Sequence, residues 1–157
     1  MLRAGGQQVF RVQYVGEPEL ASSQIFYLSI KQIPVELAPG PPQVQVVVNF
    51  NVLVNVVPEG TRPEPVIESV AAVVRENVPG VEIRVANRGT RYFAMSDVGL
   101  TLTGKVADGS NATYERSAAE VGEIVGIGVI APGRSRIFFI PTEQPLIADT
   151  IRVSLDS

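Results

Sequence analysis

The stretch VQVVVNFNVLVNVVP, Val44 to Pro58, decides the fold. Val44, Val46, Val48, Phe50, Val52, Val54 and Val56 form an unbroken period-2 apolar series, with Gln45, Asn49, Asn51 and Asn55 between them. Successive strand side chains point to opposite faces, so the pattern predicts one long strand with an apolar face. Strands in globular proteins usually run about 5–6 residues. A strand of this length reaches past its own sheet or covers a second partner.

The same periodicity extends outward in both directions. Gln7–Val15 alternates, with Phe10, Val12 and Tyr14 on one side, and Gln24–Ile33 alternates, with Phe26, Leu28 and Ile30 together; both predict half-buried strands. LAPGPPQ, from Leu37 to Gln43, is a Pro/Gly turn region leading into the long strand. Pro58 ends that strand, and EGTRPEP, Glu59 to Pro65, reads as a stiff linker because Pro fixes φ and restricts the residue before it.

Beyond the linker, Val81, Ile83 and Val85 alternate with Glu82, Arg84 and Ala86. Leu100, Leu102 and Gly104 alternate with threonines up to an Asp108-Gly109 hairpin signal, and Arg134–Ile140 and Ile151–Leu155 supply two more strands. Ile67–Glu76 is a weak helical candidate, β-branched enough to be a strand. Short strands, regular turn signals and little helical periodicity predict an all-β chain of antiparallel β-sandwiches. The expected division is 1–58, a linker at 59–65 and a second domain at 66–157.

Charge follows that division. Residues 1–58 hold only Arg3, Arg11, Lys31, Glu17, Glu19 and Glu36, an unusually uncharged surface. The whole chain of 157 residues has a net charge of −3, and its arginines are scattered, which argues against a nucleic-acid partner. No run approaches the ~18 apolar residues of a membrane helix, and MLRAGGQQVF has no apolar core of a secretory signal. There is no His, which removes the usual neutral-pH base and the commonest metal ligand, and no Cys, which removes thiol nucleophiles, disulfides and Cys-type zinc sites. Carboxylate, Lys or Tyr chemistry is what an enzyme would have left.

The remaining motifs are weak. Gly126-Ile-Gly128-Val-Ile-Ala131 matches a dinucleotide-binding pattern by letters, but Pro132 and Gly133 follow at once, so a Gly-rich strand or turn is expected. Glu120 and Glu123 are expected in a solvated loop rather than as a carboxylate pair. Asp108-Gly-Ser-Asn111 lacks the downstream acidic ligands of a calcium loop, and Asn111-Ala-Thr113 fits a glycosylation acceptor by chance. The expected protein is not an enzyme and has no cofactor or metal.

Several stretches in order carry a family resemblance. SQIFYLSIKQIP, Ser23 to Pro34, then a Pro-rich turn, then the opening stretch and a second sandwich resemble the periplasmic pilus-assembly chaperones of the chaperone–usher pathway. That family has an E-S-x-F-W-L-N-x-x-x-I-P-like strand F and a long alternating strand G ending in a Pro at the interdomain hinge. Phe26, Tyr27, Leu28, Ile33 and Pro34 match the first motif, whereas Ser23, Gln24 and Ser29 replace its Glu, Ser and Asn. RAGGQQVFRVQY resembles the family's Pro-Gly…Arg segment through Gly5, Gly6 and Arg11. GVEIRVANRGTRYFAMSDV looks like the start of its second domain, where a strand ends in Asn-x-Thr/Gly before an aromatic pair. The cysteine-free strands are closer to its archaic or alternative branch.

The resemblance implies immunoglobulin-like sandwiches, the first incomplete and the second complete. It implies a periplasmic protein that lends strand G to a pilus subunit missing its last strand, and passes that subunit to an outer-membrane usher. Strand addition gives affinity through main-chain bonds and specificity through alternate side chains. Val44, Val46, Val48 and Phe50 align with the donor residues, while Val52, Val54 and Val56 are expected to fill the chain's own core. Two departures stand out. The family's strand-G Lys is Leu53 here, and its Arg partner falls among strands A to D, which precede the region this sequence covers. Exposed edges then predict a homodimer or larger assembly. The alternatives are an adhesive sandwich module that polymerises by the same strand exchange, and a carboxylate-dependent enzyme, for which no spacing provides the paired groups.

Overall fold

A computed structural model describes residues 6–34 and 44–156. Among the described residues it is mostly β, with antiparallel sheets, one short α-helix and two single turns of 3-10 helix. The chain forms β1 (Gln24–Lys31), β2 (Asn49–Val56), β3 (Pro65–Arg75), β4 (Val78–Asn87), β5 (Phe93–Ala94), β6 (Gly99–Lys105) and β7 (Asn111–Arg116). After α1 (Ala118–Val125) come β8 (Val129–Ile130), β9 (Ser135–Pro141) and β10 (Arg152–Asp156). Sheet orders are β1-β2, β3-β4-β9, β10-β6-β7 and β5-β8.

The two three-stranded sheets enclose one core. Val81, Ile83 and Val85 of β4, Leu100 and Leu102 of β6, and Ile140 of β9 are fully buried. Met95, Val121 of α1 and Ile130 of β8 join them. Every fully buried apolar side chain among the described residues lies at or beyond Val81, so the sandwich closes without help from residues 6–58. The predicted inward faces of β4, β6 and β10 are as the alternation requires, with Ile151 buried just before β10 begins.

The weak helical candidate is strand β3 up to Arg75, with Glu76 in the turn that follows, and its helix-like spacing has a physical cause. The β3–β4 register shifts between Ile67 and Ser69, so a bulge takes up Glu68 and lets Ile67 and Val70 both face the core. Glu76 and Asn77, at φ 48° and 64°, form the two-residue turn that closes this hairpin, as the right-handed twist of paired strands favours. The Asp108-Gly109 signal sits in the β6–β7 connection, where Gly109 has φ 84° and donates to the Val106 carbonyl at 2.9 Å.

Glu120 and Glu123 correct the sequence reading: they lie in α1, not in a loop. Ser117 caps the helix. Its Oγ accepts from the Glu120 N–H at 3.4 Å, and its own N–H donates to Glu120 Oε2 at 2.8 Å, a reciprocal capping box. Hydrogen bonds from the Ser117 N–H and then its hydroxyl hold the Glu120 carboxyl below the usual carboxylate range. A folded-state value depressed in this way contributes stability above the unfolded value and loses it as pH falls through the folded one. Ser117→Ala is expected to cost about 1 kcal/mol. In denaturant titrations Glu120→Gln should be less stable than the parent at neutral pH and converge with it below the carboxylate range. A difference independent of pH would show that the carboxylate charge has no part in the cap.

The linker is pinned at its end by Asn87. Its Oδ1 accepts from the N–H groups of Glu64 at 3.1 Å and Gly89 at 3.0 Å, and its Nδ2 donates to the carbonyls of Arg91 at 2.7 Å and Ile130 at 3.2 Å. The Arg62 carbonyl accepts from Thr90 and Arg91, and a Cβ at Gly89 would lie 2.2 Å from that same oxygen. A side chain there would therefore push the linker off the sandwich.

Candidate functional site

The expected donor strand is shorter than its sequence pattern. β2 starts at Asn49, whereas the alternation predicts a strand from Val44. The cause is its partner. The β1–β2 register runs from Gln24↔Val56 to Lys31↔Asn49, and Gln32 carries the pairing one residue further, donating its N–H to the Val48 carbonyl at 3.2 Å and accepting the Val48 N–H on Oε1 at 3.1 Å. Two residues on, Pro34 has no N–H to offer. β2 therefore begins five residues after the alternation does. The turn residues 35–43 lie outside the described residues.

The register sorts the ribbon's faces. Opposed residues share a face, so Phe26/Val54, Leu28/Val52 and Ile30/Phe50 lie together as an apolar surface. The reverse face carries Ser29 and Asn51, whose side chains hydrogen-bond at 2.6 Å, with Lys31, Asn49 and Asn55. Asn55 Oδ1 is buried without a hydrogen-bond partner. Leu53, where the resemblance would expect a Lys, lies opposite Tyr27 on this reverse face.

Gln7–Val15 is not a strand, contrary to its alternation. Instead Val12–Glu17 borders the apolar face of the ribbon, with the Tyr14 and Phe26 rings 6.0 Å apart, around a groove of about 580 Å³ floored by Phe26, Leu28, Val54 and Val56. Among the described residues no strand pairs with this segment; its side chains were the legible part and its missing partner was not. The cover is partial. Along β2 the residues from Leu53 on are half-buried, while those before it are exposed.

The four expected donor residues are therefore open. Val44 is 94% exposed, Val46 71%, Val48 41% and Phe50 59%, and none lines the groove. The expectation that Val52, Val54 and Val56 fill the chain's core is corrected: Val52 is exposed, and Val54 and Val56 are half-buried beneath Val12–Glu17, outside the sandwich core. Ser23 joins ribbon to sandwich. Buried itself, it donates its N–H to the Thr90 carbonyl at 2.8 Å and accepts the Tyr92 N–H on Oγ at 2.7 Å.

Elsewhere the geometry offers little chemistry. Among the described residues no group of three His, Cys, Asp or Glu could hold a metal ion. Gly126 and Gly128, at φ 67° and 64°, make a turn that runs into β8, so the dinucleotide-like letters precede a strand and not a helix. No helix among the described residues is long and apolar enough to cross a membrane, which says nothing of spans built from strands. Protein-family models, curated proteins and solved structures yield no match to this chain.

Proposed function

We propose that the chain is a strand-donating chaperone of the chaperone–usher type. In this reading it acts in the periplasm, holds an immunoglobulin-like pilus subunit that lacks its last strand, and delivers it to an outer-membrane usher. Residues 1–58 supply the closing strands of an immunoglobulin-like chaperone domain, and 66–157 form the second domain. The observation that carries the proposal is the exposure of Val44, Val46, Val48 and Phe50 beside a sandwich that fills its own core without them. Four such side chains in phase match the alternate pockets of an incomplete sandwich. Each would contribute roughly 1.5–3 kcal/mol on full burial, with the gain smallest for Val48, which is already partly covered.

The test is co-purification of the chain with a pilus subunit from the same organism. Val46→Asp should reduce the recovered complex at least tenfold, because an unpaired carboxylate would enter an apolar groove. Asn49→Asp should change recovery less than threefold, since its side chain is exposed on the reverse face. Equal losses would mean that the strand serves only folding. Undiminished capture by Val46→Asp would remove this face from the reading.

A further inference from the structure

β2 and the residues leading into it form a palindrome by residue class. About Phe50, Asn49 mirrors Asn51, Val48 mirrors Val52, Val47 mirrors Leu53, Val46 mirrors Val54, Gln45 mirrors Asn55 and Val44 mirrors Val56. A strand laid antiparallel against its own copy, with Phe50 on the two-fold axis, would set apolar opposite apolar and amide opposite amide at every position from 44 to 56. Other registers lose this match. A one-residue slip puts Phe50 and Asn51 on one face. A two-residue slip keeps the faces but sets Asn49 against Leu53, or Val47 against Asn51.

The backbone agrees with the same axis. Val48 turns its N–H and C=O toward β1, where both meet Gln32. Main-chain groups alternate sides along an antiparallel strand, so those of Phe50, Val52 and Val54 also face β1. Those of Asn49, Asn51, Leu53 and Asn55 face the opposite edge, where no strand pairs among the described residues. That edge lacks the usual protection against pairing: Asn49–Val56 contains no charged residue and no Pro, and no bulge interrupts its register.

We infer that this edge is an isologous interface between two copies of the chain, giving a continuous sheet in the order β1-β2-β2-β1. Asn49 and Asn51 of opposite copies form hydrogen-bonded pairs, and the two Phe50 residues meet as the close, non-bonded pair on the axis. The strand's extra length then has a use. Val44–Val48 lie against Val52–Val56 of the other copy. The inference does not rest on the chaperone reading, although a subunit seated on the same strand would compete with the second copy.

Cysteine cross-linking tests the register, because the chain has no Cys of its own. Non-bonded antiparallel pairs have Cα atoms about 4.5 Å apart, within the span of about 4.4–6.8 Å that a disulfide bridges. Val52 faces Val48 of the copy, and two Val52 residues stand roughly 13 Å apart. Under oxidation most of the Phe50→Cys chain should run as a covalent dimer, and Val52→Cys alone should not. A mixture of Val48→Cys and Val52→Cys, which keeps Phe50, should cross-link between the two variants. Light scattering of the unaltered protein at about 10 µM should give twice the 16.8 kDa chain mass. A monomer there, or self-linking of Val52→Cys as efficient as that of Phe50→Cys, or no linkage in the mixture, would overturn the inference. Retention of dimer mass with failed linkage in the mixture would place the interface elsewhere.

Discussion

Asn87→Ala is expected to lower the stability of the sandwich by about 3–4 kcal/mol, because it strips partners from four main-chain groups at once. The Asn87 side chain is 1% exposed and uses all its hydrogen-bonding capacity on Glu64, Gly89, Arg91 and Ile130. Alanine offers none of the four groups a partner, and a buried unsatisfied group costs about 1–3 kcal/mol. For a sandwich of this size the thermal midpoint should fall by roughly 12–30 °C. Asn87→Asp separates shape from bonding. It retains both acceptor contacts but turns the donor toward the Arg91 and Ile130 carbonyls into a second oxygen. It should therefore be no more stable than alanine at neutral pH, although its volume is unchanged. Thermal and denaturant unfolding followed by amide and tyrosine signals would check both variants, and a loss below about 1 kcal/mol for alanine would mean that the linker is held by other contacts.

Asn87 also illustrates what a sequence carries and what it withholds. The ANRGT stretch was legible as the end of a strand, but the four partners of its Asn come from the linker, the following loop and β8, and no local pattern specifies them. Strands whose alternation faces a real partner were read with bounds close to those observed, as in β4, β6, β9 and β10. Alternation at 7–15 and 44–48 was equally clear and did not make strands, because a period-2 pattern reports which face can be buried and not whether a partner strand exists. β5 and β8 are two residues each, too short to have a period. The helix was a missed signal of another kind: Ser117-Ala-Ala-Glu120 has the spacing of a capping box, and reading it would have moved Glu120 and Glu123 from loop to helix. The candidate surface was legible in its side chains, whereas the cover given by Val12–Glu17 and the early end of β2 depend on tertiary contacts.

Removal of residues 1–58 is expected to abolish self-association and subunit capture while leaving the sandwich cooperatively folded, with its thermal midpoint lowered by no more than about 8 °C. The core stays filled, since among the described residues none of the fully buried apolar side chains comes from the deleted part. What the sandwich loses is chiefly the Ser23 clasp on the Thr90 carbonyl and the Tyr92 N–H. Both groups border solvent-accessible chain, so water can replace much of the clasp, and a net cost of about 1 kcal/mol follows. Its conversion to a temperature shift is about 4–8 °C for a domain of this size. The cut belongs before Glu59 rather than at Glu64, because Arg62 accepts two backbone bonds from Thr90 and Arg91 and Glu64 bonds both Asn87 and Arg88. A chain of residues 59–157 that unfolds without cooperativity would make the ribbon part of one folding unit with the sandwich. A folded chain that still self-associates would move the interface away from β2, and with it the reason for the palindrome about Phe50.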